Sequence, residues 1–214
     1  MSAPRPSRPG EETALRELWT AVFGDEGAFL DLFFSEIYRP GMARVMEAEG
    51  RIVSAAYALP FGEALYIYAV GTLPAFRGRG CGRAVTLAAA GGKPAYLCPA
   101  SESLKRWYGE SMGAVPADWR QPCALPEDAE PLAPAEFLSL RERMLEGVPH
   151  AAYSPALLRL FALDGSFYRS GGGRVFAAGS DGTVFEQLPS PSGGEPYLYA
   201  LNGAPPLHWG ITLE

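Results

Sequence analysis

A strand-like run that leads through a glycine cluster into an apolar helix is the feature that most constrains this fold. Ala64–Thr72 is rich in tyrosine, isoleucine and valine, which favours a strand. Gly78, Gly80 and Gly82 follow, and Arg83–Ala90 is then rich in alanine, leucine and valine, which favours a helix. Because such a strand and helix bury their apolar faces against each other, the segment predicts an α/β domain.

The residues before this segment predict two helices and two further strands. Apolar residues recur at helical spacing over Glu11–Phe23, and a second dense apolar pattern covers Ala28–Tyr38. Ala43–Glu49 and Arg51–Leu59 are strand-like and are separated by a glycine. Together with the strand at residues 64–72, they predict a three-strand meander.

The residues after the glycine cluster continue the alternation of strand and helix. Lys93–Cys98 can form a buried strand, and Ser101–Ser111 begins with a serine suited to capping a helix. Strand, helix, strand and helix in this order imply parallel pairing. The predicted fold class is therefore mixed α/β, with a central mixed sheet flanked by helices.

Composition along the chain predicts four segments. Residues 1–10 are expected to be a disordered lead-in, residues 11–115 the main domain, and residues 116–134, which are proline-rich, an extended connection. Residues 135–214 are expected to form a smaller C-terminal α+β module. Its expected helices and strands are Ala135–Glu146, Pro155–Leu163, Arg174–Ala178, Thr183–Leu188 and Tyr197–Leu201.

The order of elements in this module repeats the opening order of the chain. Arg44–Pro60 loosely resembles Arg174–Pro189, although the module has no counterpart of the glycine cluster. Two explanations stay open: the module is a partial repeat of the main domain, or two ordinary hairpins are similar by chance.

Charge, hydropathy and cysteine content exclude several classes of protein. No apolar run approaches the roughly 20 residues that span a bilayer, and a net charge of -6 provides no broad cationic surface for nucleic acid. Cys81, Cys98 and Cys123 have no paired or metal-like spacing, which indicates reduced thiols, no metal site and a cytoplasmic location. We therefore expect neither nucleic acid nor membrane as a partner, and a monomer or a homodimer.

The glycine cluster has the composition of an anion-binding turn, because glycines let backbone N–H groups face a ligand at the positive end of a helix. Two common phosphate motifs do not fit. A P-loop requires lysine and then serine or threonine where this chain has Arg83-Ala84, and a dinucleotide fingerprint requires glycine at Arg83. Either the cluster binds a pyrophosphate, with Arg77, Arg79 and Arg83 adding charge, or it is only a tight turn with solvated arginines.

Two motifs in the main domain carry a resemblance to a known family. Arg77, Gly80 and Gly82 have the spacing Arg-x-x-Gly-x-Gly after a strand, with Pro74 upstream. This resembles the acetyl-CoA signature of the GNAT superfamily of N-acetyltransferases. The resemblance implies the acyl-CoA N-acyltransferase fold of that family, with acetyl-CoA as co-substrate.

A second motif lies at the matching distance downstream. The run Pro99–Gly113 looks like the later motif of the same family, a strand end and a helix that carries a tyrosine, here Tyr108. The resemblance covers roughly residues 11 to 115. Two motifs in the correct order are far more specific than either alone.

The resemblance also implies a set of coenzyme-binding residues and a general acid. Main-chain groups at the end of the strand would pair with the pantetheine arm, the amides of the cluster would hold the pyrophosphate, and Tyr108 would protonate the leaving thiolate. The implied coenzyme-binding residues are Val70, Gly71, Thr72, Arg77, Gly78, Arg79, Gly80, Cys81, Gly82 and Arg83. The amine attacks directly, so Cys81 is expected to be a small filler and not a nucleophile.

The sequence assigns neither the acceptor nor a general base. The implied acceptor is a primary amine of a small molecule or peptide. Carboxylates and tyrosines near the site strand are base candidates, although each is more often a surface charge or a packed ring, and two histidines in the C-terminal module are more often structural. These residues are Glu47, Glu49, Glu63, Tyr66, Tyr68, His150 and His208. Two alternatives remain: a transferase that uses a longer acyl-CoA or an alcohol acceptor, and a non-catalytic acyl-CoA sensor or scaffold.

Overall fold

A computed structural model describes residues 1–212 of the chain. The chain divides into two compact units, one of residues 1–115 with 200–204, and one of residues 116–199 with the segment that begins at Pro205. Among the described residues, no helix is long and apolar enough to cross a membrane.

The first unit contains an antiparallel meander. Its strands are β1 (Arg5–Pro6), β2 (Ala43–Ala48), β3 (Arg51–Phe61) and β4 (Ala64–Thr72). They are hydrogen-bonded in the order β1-β2-β3-β4, and each neighbouring pair is antiparallel. The three strands expected from the sequence are thus present, and β3 continues two residues further than expected.

The N-terminal segment corrects one expectation. Residues 1–10 were expected to be disordered, but the Ser2 N–H donates to the Glu47 carbonyl at 2.8 Å and the Ser7 N–H donates to the Ala43 carbonyl at 2.9 Å. Arg5 also bonds to the carboxylates of Glu11 and Glu47. These bonds pair the short strand β1 with the outer edge of β2. The polar composition of residues 1–10 does not indicate this pairing.

Two helical segments precede β2. Helix α1 (Glu12–Phe23) begins one residue later than expected. The segment expected at 28–38 consists of α2 (Ala28–Leu32) and a π-helical turn (Phe33–Ile37). Trp19 of α1 lies at the centre of an aromatic cluster, with ring centroids 5.1 Å from Tyr57 and 5.6 Å from Tyr68. This cluster packs α1 on β3 and β4.

Strand and helix alternate after β4, as expected. A 3-10 turn (Pro74–Phe76) leads to α3 (Cys81–Ala90), β5 (Ala95–Leu97) and α4 (Glu102–Met112). Strand β5 is parallel to β4, which makes the sheet mixed. Ser101 caps α4 by accepting from the Leu104 N–H at 3.3 Å. Helix α3 starts two residues before the expected position, so Cys81 and Gly82 belong to its first turn and not to the loop.

The second unit is built mainly around its own four-stranded antiparallel sheet. The remaining elements of the chain are β6 (Val115–Arg120), β7 (Glu130–Leu132), α5 (Pro134–Met144), α6 (Pro155–Phe161), β8 (Gly165–Arg169), β9 (Val175–Gly179), β10 (Val184–Leu188) and β11 (Glu195–Leu201). The sheet order is β10-β9-β8-β7. The sequence did not indicate β6, β7 or β8. The proline-rich stretch at 116–134 contributes to β6 and contains β7.

Candidate functional site

A bulge interrupts β4 just before its end. Ala55 pairs with Gly71 and Tyr57 pairs with Tyr68, so two residues of β4, Ala69 and Val70, lie opposite a single residue of β3. Ala69 adopts a positive φ of 47°, a conformation that costs a non-glycine residue about 1–3 kcal/mol and is concentrated at functional sites. A bulge leaves its extra residue out of the regular ladder, so main-chain groups here are available to a ligand.

The outer edge of β4 is open beyond this bulge. Only Leu65 and Tyr66 of β4 pair with β5, through Ala95 and Tyr96. Strand β4 continues to Thr72, whereas β5 ends at residue 97. Among the residues that the structure describes, the edge at 68–72 thus has no partner strand on the β5 side. An extended group can pair with such an edge as another strand would.

The glycine cluster forms the entrance to α3. Gly80 is the N-cap residue with φ 78°, Gly78 has φ 73°, and the first helical bond runs from the Ala84 N–H to the Gly80 carbonyl at 3.0 Å. The N–H groups of the first turn, from Cys81 to Arg83, therefore point out of the helix without intrahelical acceptors. In the described part of the chain, no side chain caps this helix. These donors suit an anion.

One amide of the implied set is already engaged. The Arg77 N–H donates to the Pro74 carbonyl at 3.2 Å within the 3-10 turn. The Arg77 amide is therefore not available to a ligand, and the candidate donors begin at Gly78.

Gly82 and Cys81 fit the roles of small residues. A Cβ on Gly82 would lie 3.6 Å from the Trp107 ring and 3.7 Å from the Thr72 Oγ1, so this glycine lets α3, α4 and the end of β4 approach one another. Cys81 is 2% exposed, and its Sγ lies 3.7 Å from the Phe76 carbonyl oxygen. Its burial supports the expectation that it is a filler.

The three arginines of the cluster are exposed and surround the entrance to α3. Arg77 Nε donates to the Thr72 carbonyl at 3.1 Å, and Arg83 Nε donates to the Ser111 carbonyl at 2.9 Å. The Arg79 guanidinium lies 5.3 Å from the centroid of Phe76. Within residues 1–212, none of the three forms an ion pair with a carboxylate.

A fourth arginine lies at the same place and was missed by sequence reasoning. The Arg51 guanidinium, at the start of β3, is 5.6 Å from the centroid of Phe76. Only the register of β3 against β4 could have indicated this, because the two residues are 25 positions apart in the sequence.

Tyr108 is a residue of α4 whose hydroxyl contacts α3. It is 6% exposed, and its hydroxyl is hydrogen-bonded to Thr86, whose own hydroxyl donates to the Gly82 carbonyl at 2.8 Å. Burial raises the pKa of Tyr108, and the bond with Thr86 offsets this only in part. The phenol is therefore protonated at neutral pH and can donate a proton or a hydrogen bond.

The structure does not gather the base candidates at the bulge. Glu47 lies on β2, two strands from β4, and is engaged by Arg5. Glu63 lies in the turn between β3 and β4, at the opposite end of β4 from the bulge. Tyr66 and Tyr68 are buried, and their rings stack at 5.9 Å. Glu49 lies in the turn between β2 and β3.

Buried polar side chains surround His208 in the second unit. Its Nε2 lies 2.7 Å from Glu186 Oε1, and Arg141 Nε donates to the same oxygen at 2.8 Å. The side chains of Arg141 and Glu186 are both 0% exposed. Asp118 Oδ2 lies 3.8 Å from His208 Nδ1 and accepts from the Trp209 N–H at 2.7 Å. These contacts anchor the segment around residue 208, which supports a structural role for His208.

His150 is also engaged within the second unit. Its Nε2 lies 3.0 Å from Glu142 Oε2, and its Nδ1 lies 2.7 Å from the Val148 carbonyl oxygen. Both ring nitrogens are used in these local contacts, which again supports a structural role.

Comparison with known proteins identifies the fold. The chain is similar to a GCN5-related N-acetyltransferase from Anabaena variabilis (17% identity, TM-score 0.57, covering 86% of this chain and 58% of that chain). It is also similar to one from Kribbella flavida (15% identity, TM-score 0.56, covering 89% of this chain and 58% of that chain). A third similar structure is Eis1 from Mycobacterium abscessus (15% identity, TM-score 0.56, covering 82% of this chain and 53% of that chain). No family model matches the sequence, and no curated protein matches it significantly.

This likeness shows the fold that the glycine cluster predicted. The chain has the mixed α/β fold of the GCN5-related N-acetyltransferases, with a mixed sheet flanked by helices. It spans between 53% and 66% of the length of the first solved structures that it matches.

Proposed function

We propose that this protein is an N-acetyltransferase of the GNAT superfamily, which moves an acetyl group from acetyl-CoA to a primary amine of a small molecule or peptide. One observation carries the proposal. A bulged strand with an open edge leads directly to a helix whose first-turn amides are uncapped, and all of these groups lie in the first unit.

The open edge of β4 suits the thioester end of the coenzyme. The main chain of Val70, Gly71 and Thr72 would bond to the amides of the pantetheine arm, much as a neighbouring strand would. A free N–H at the bulge would donate to the thioester carbonyl oxygen, where negative charge develops during attack. Because these donors belong to the backbone, they are fixed before the substrate arrives.

The entrance to α3 suits the pyrophosphate. Amides from Gly78 to Arg83 would donate to its oxygens, and the positive end of the helix would add to the attraction. Arg77, Arg79 and Arg83 supply charge around these amides. In that role Arg77 and Arg83 would leave their present contacts with main-chain carbonyls.

Proton transfer is the least complete part of the site. An amine with an ordinary pKa near 10.4 must lose a proton before attack, at a cost of about 4.6 kcal/mol at pH 7. The base candidates in the sequence lie in turns, in an ion pair or in the aromatic core, so we assign this step to water. Tyr108, which is protonated at neutral pH, would donate to the leaving thiolate.

Thiol release from acetyl-CoA across a panel of polyamines, aminoglycosides, amino acids and peptides tests this proposal. We expect turnover on at least one amine, and Tyr108→Phe should reduce kcat by about 10²-fold or more, the usual contribution of a positioned acid. Tyr38→Phe is the matched control, because it removes a hydroxyl that is also buried in the first unit but bonds to Ser7. Full activity in Tyr108→Phe would show that this tyrosine is not the acid.

The absence of an assignable base favours one second candidate, a non-catalytic acyl-CoA sensor. In that case calorimetry would show tight binding of acetyl-CoA, whereas no amine in the panel would accelerate thiol release. Absence of any binding would exclude both functions.

A further inference from the structure

The register of the sheet brings Arg51 to the glycine cluster. Ser54 pairs with Thr72, and the Leu73 N–H donates to the Val53 carbonyl at 2.9 Å. Strands β3 and β4 therefore remain together to the end of β4. Arg51 lies two residues beyond Val53 on the same end of the sheet, where the chain enters the turn at 74–76.

Arg51 and Arg79 both lie close to one aromatic ring. Their guanidinium carbons lie 5.6 Å and 5.3 Å from the centroid of Phe76, which is itself 4% exposed and fixed in the core. Both arginine side chains are exposed to solvent. In the described residues, neither forms an ion pair with a carboxylate, so their positive charges have no protein counter-charge. An exposed pair of this kind, beside an anion-binding turn, suits a second anionic group.

We propose that Arg51 and Arg79 bind the 3′-phosphate on the ribose of coenzyme A, an inference that rests on the proposed function. The amides of residues 78–83 account for the pyrophosphate, and the coenzyme carries one further phosphate as a monoester. A phosphomonoester holds about 1.5 to 2 negative charges at pH 7 and matches the fork of a guanidinium. Arg51 is then a determinant of specificity for coenzyme A over its dephospho form.

The test compares the binding of acetyl-CoA and acetyl-3′-dephospho-CoA by calorimetry. We expect the wild type to bind the dephospho form about tenfold more weakly, the effect of roughly one charge-assisted hydrogen bond at an exposed site. Arg51→Gln and Arg79→Gln should each weaken the binding of acetyl-CoA. Each variant should also show a smaller preference for acetyl-CoA over its dephospho form. Raising the salt concentration should reduce the wild-type preference, because exposed charges are screened.

Arg8→Gln is the matched control. It removes the same charge from an exposed arginine that follows β1, close to the Ala43 end of β2 and away from the turn that leads into Arg51. We expect this variant to keep the wild-type preference for the 3′-phosphate.

The two proposals fail in different ways. If the wild type binds both thioesters equally well, or if Arg51→Gln weakens both by the same factor, the 3′-phosphate subsite is wrong while the proposed function stands. If the wild type binds neither thioester, both are wrong.

Discussion

Replacing Gly80 by alanine should weaken coenzyme binding far more than it weakens folding. Gly80 has a positive φ of 78° as the N-cap of α3, and an added Cβ would meet no atom within 4 Å. The folding cost is therefore backbone strain alone, about 1–2 kcal/mol. The new methyl group stands in the open space before the helix, where the pyrophosphate is proposed to bind.

The same helix offers a matched control at its other end. Gly91 is the C-cap of α3 with φ 57°, and its added Cβ would lie 3.8 Å from the Ala88 carbonyl oxygen. Gly91→Ala should thus cost about the same 1–2 kcal/mol in folding. It leaves the N-terminal amides untouched.

The expected difference in binding follows from the bond that is lost. If the methyl group of Gly80→Ala prevents one amide from reaching a phosphate oxygen, the loss is about 1.5–3 kcal/mol, the value for hydrogen bonds to charged groups. This corresponds to an increase in Kd of about 10- to 150-fold. Gly91→Ala should bind coenzyme A with nearly the wild-type Kd.

Calorimetry with coenzyme A measures both constants, and thermal unfolding with and without coenzyme checks them. At a coenzyme concentration of about 100 times the wild-type Kd, the wild type gains about 2.7 kcal/mol of stability, and a variant that binds about 30-fold more weakly gains about 0.9 kcal/mol. Equal affinities for the two variants would refute the placement of the pyrophosphate at the entrance to α3.

Two further predictions concern buried polar groups, and denaturant unfolding measures both. Burial opposes the charge of Glu186, but Arg141 and then His208 hold the pKa of this carboxyl below its ordinary value of 4.5. The ionised carboxylate therefore stabilises the fold above pH 4.5, and this stabilisation is lost as the pH falls through the lower pKa of the folded state. Glu186→Gln should cost about 3 kcal/mol near pH 7, because it removes the buried counter-charge of Arg141 and leaves only the exposed carboxylate of Glu142. The variant should also lose less stability on acidification, and an unchanged acid response would contradict this. Tyr57→Phe should increase stability by about 1 kcal/mol, because the buried Tyr57 hydroxyl has no hydrogen-bond partner within residues 1–212, whereas a loss would mean that the hydroxyl is satisfied.

Local sequence signals determined the elements around the candidate site. The Val- and Tyr-rich run at 64–72 formed a strand at the expected residues, and Ser101 caps α4 as its position at the start of the expected helix indicated. Gly78 and Gly80 occupy left-handed conformations, which glycine adopts without steric cost. Such features depend on backbone preferences within a few residues, and the sequence displays them directly.

Elements without a strong local pattern were not predictable. Strand β1 is two residues long, and β7 contains a proline, so neither carries the alternation that indicates a strand. They exist because a partner strand offers unpaired backbone groups. The disorder expected at residues 1–10 was wrong for this reason.

The motif spacing in this sequence determined the fold and the segment of the candidate site, while only the tertiary structure decided which side chains meet there. The bulge at Ala69 and Val70, the approach of Arg51 to Phe76 and the burial of Tyr108 against Thr86 all join residues distant in sequence. Register and packing fix these contacts, and both depend on the whole sheet and not on any local run. A backbone turn can therefore be predicted from a few residues, but the charges and hydroxyls around it require the folded chain.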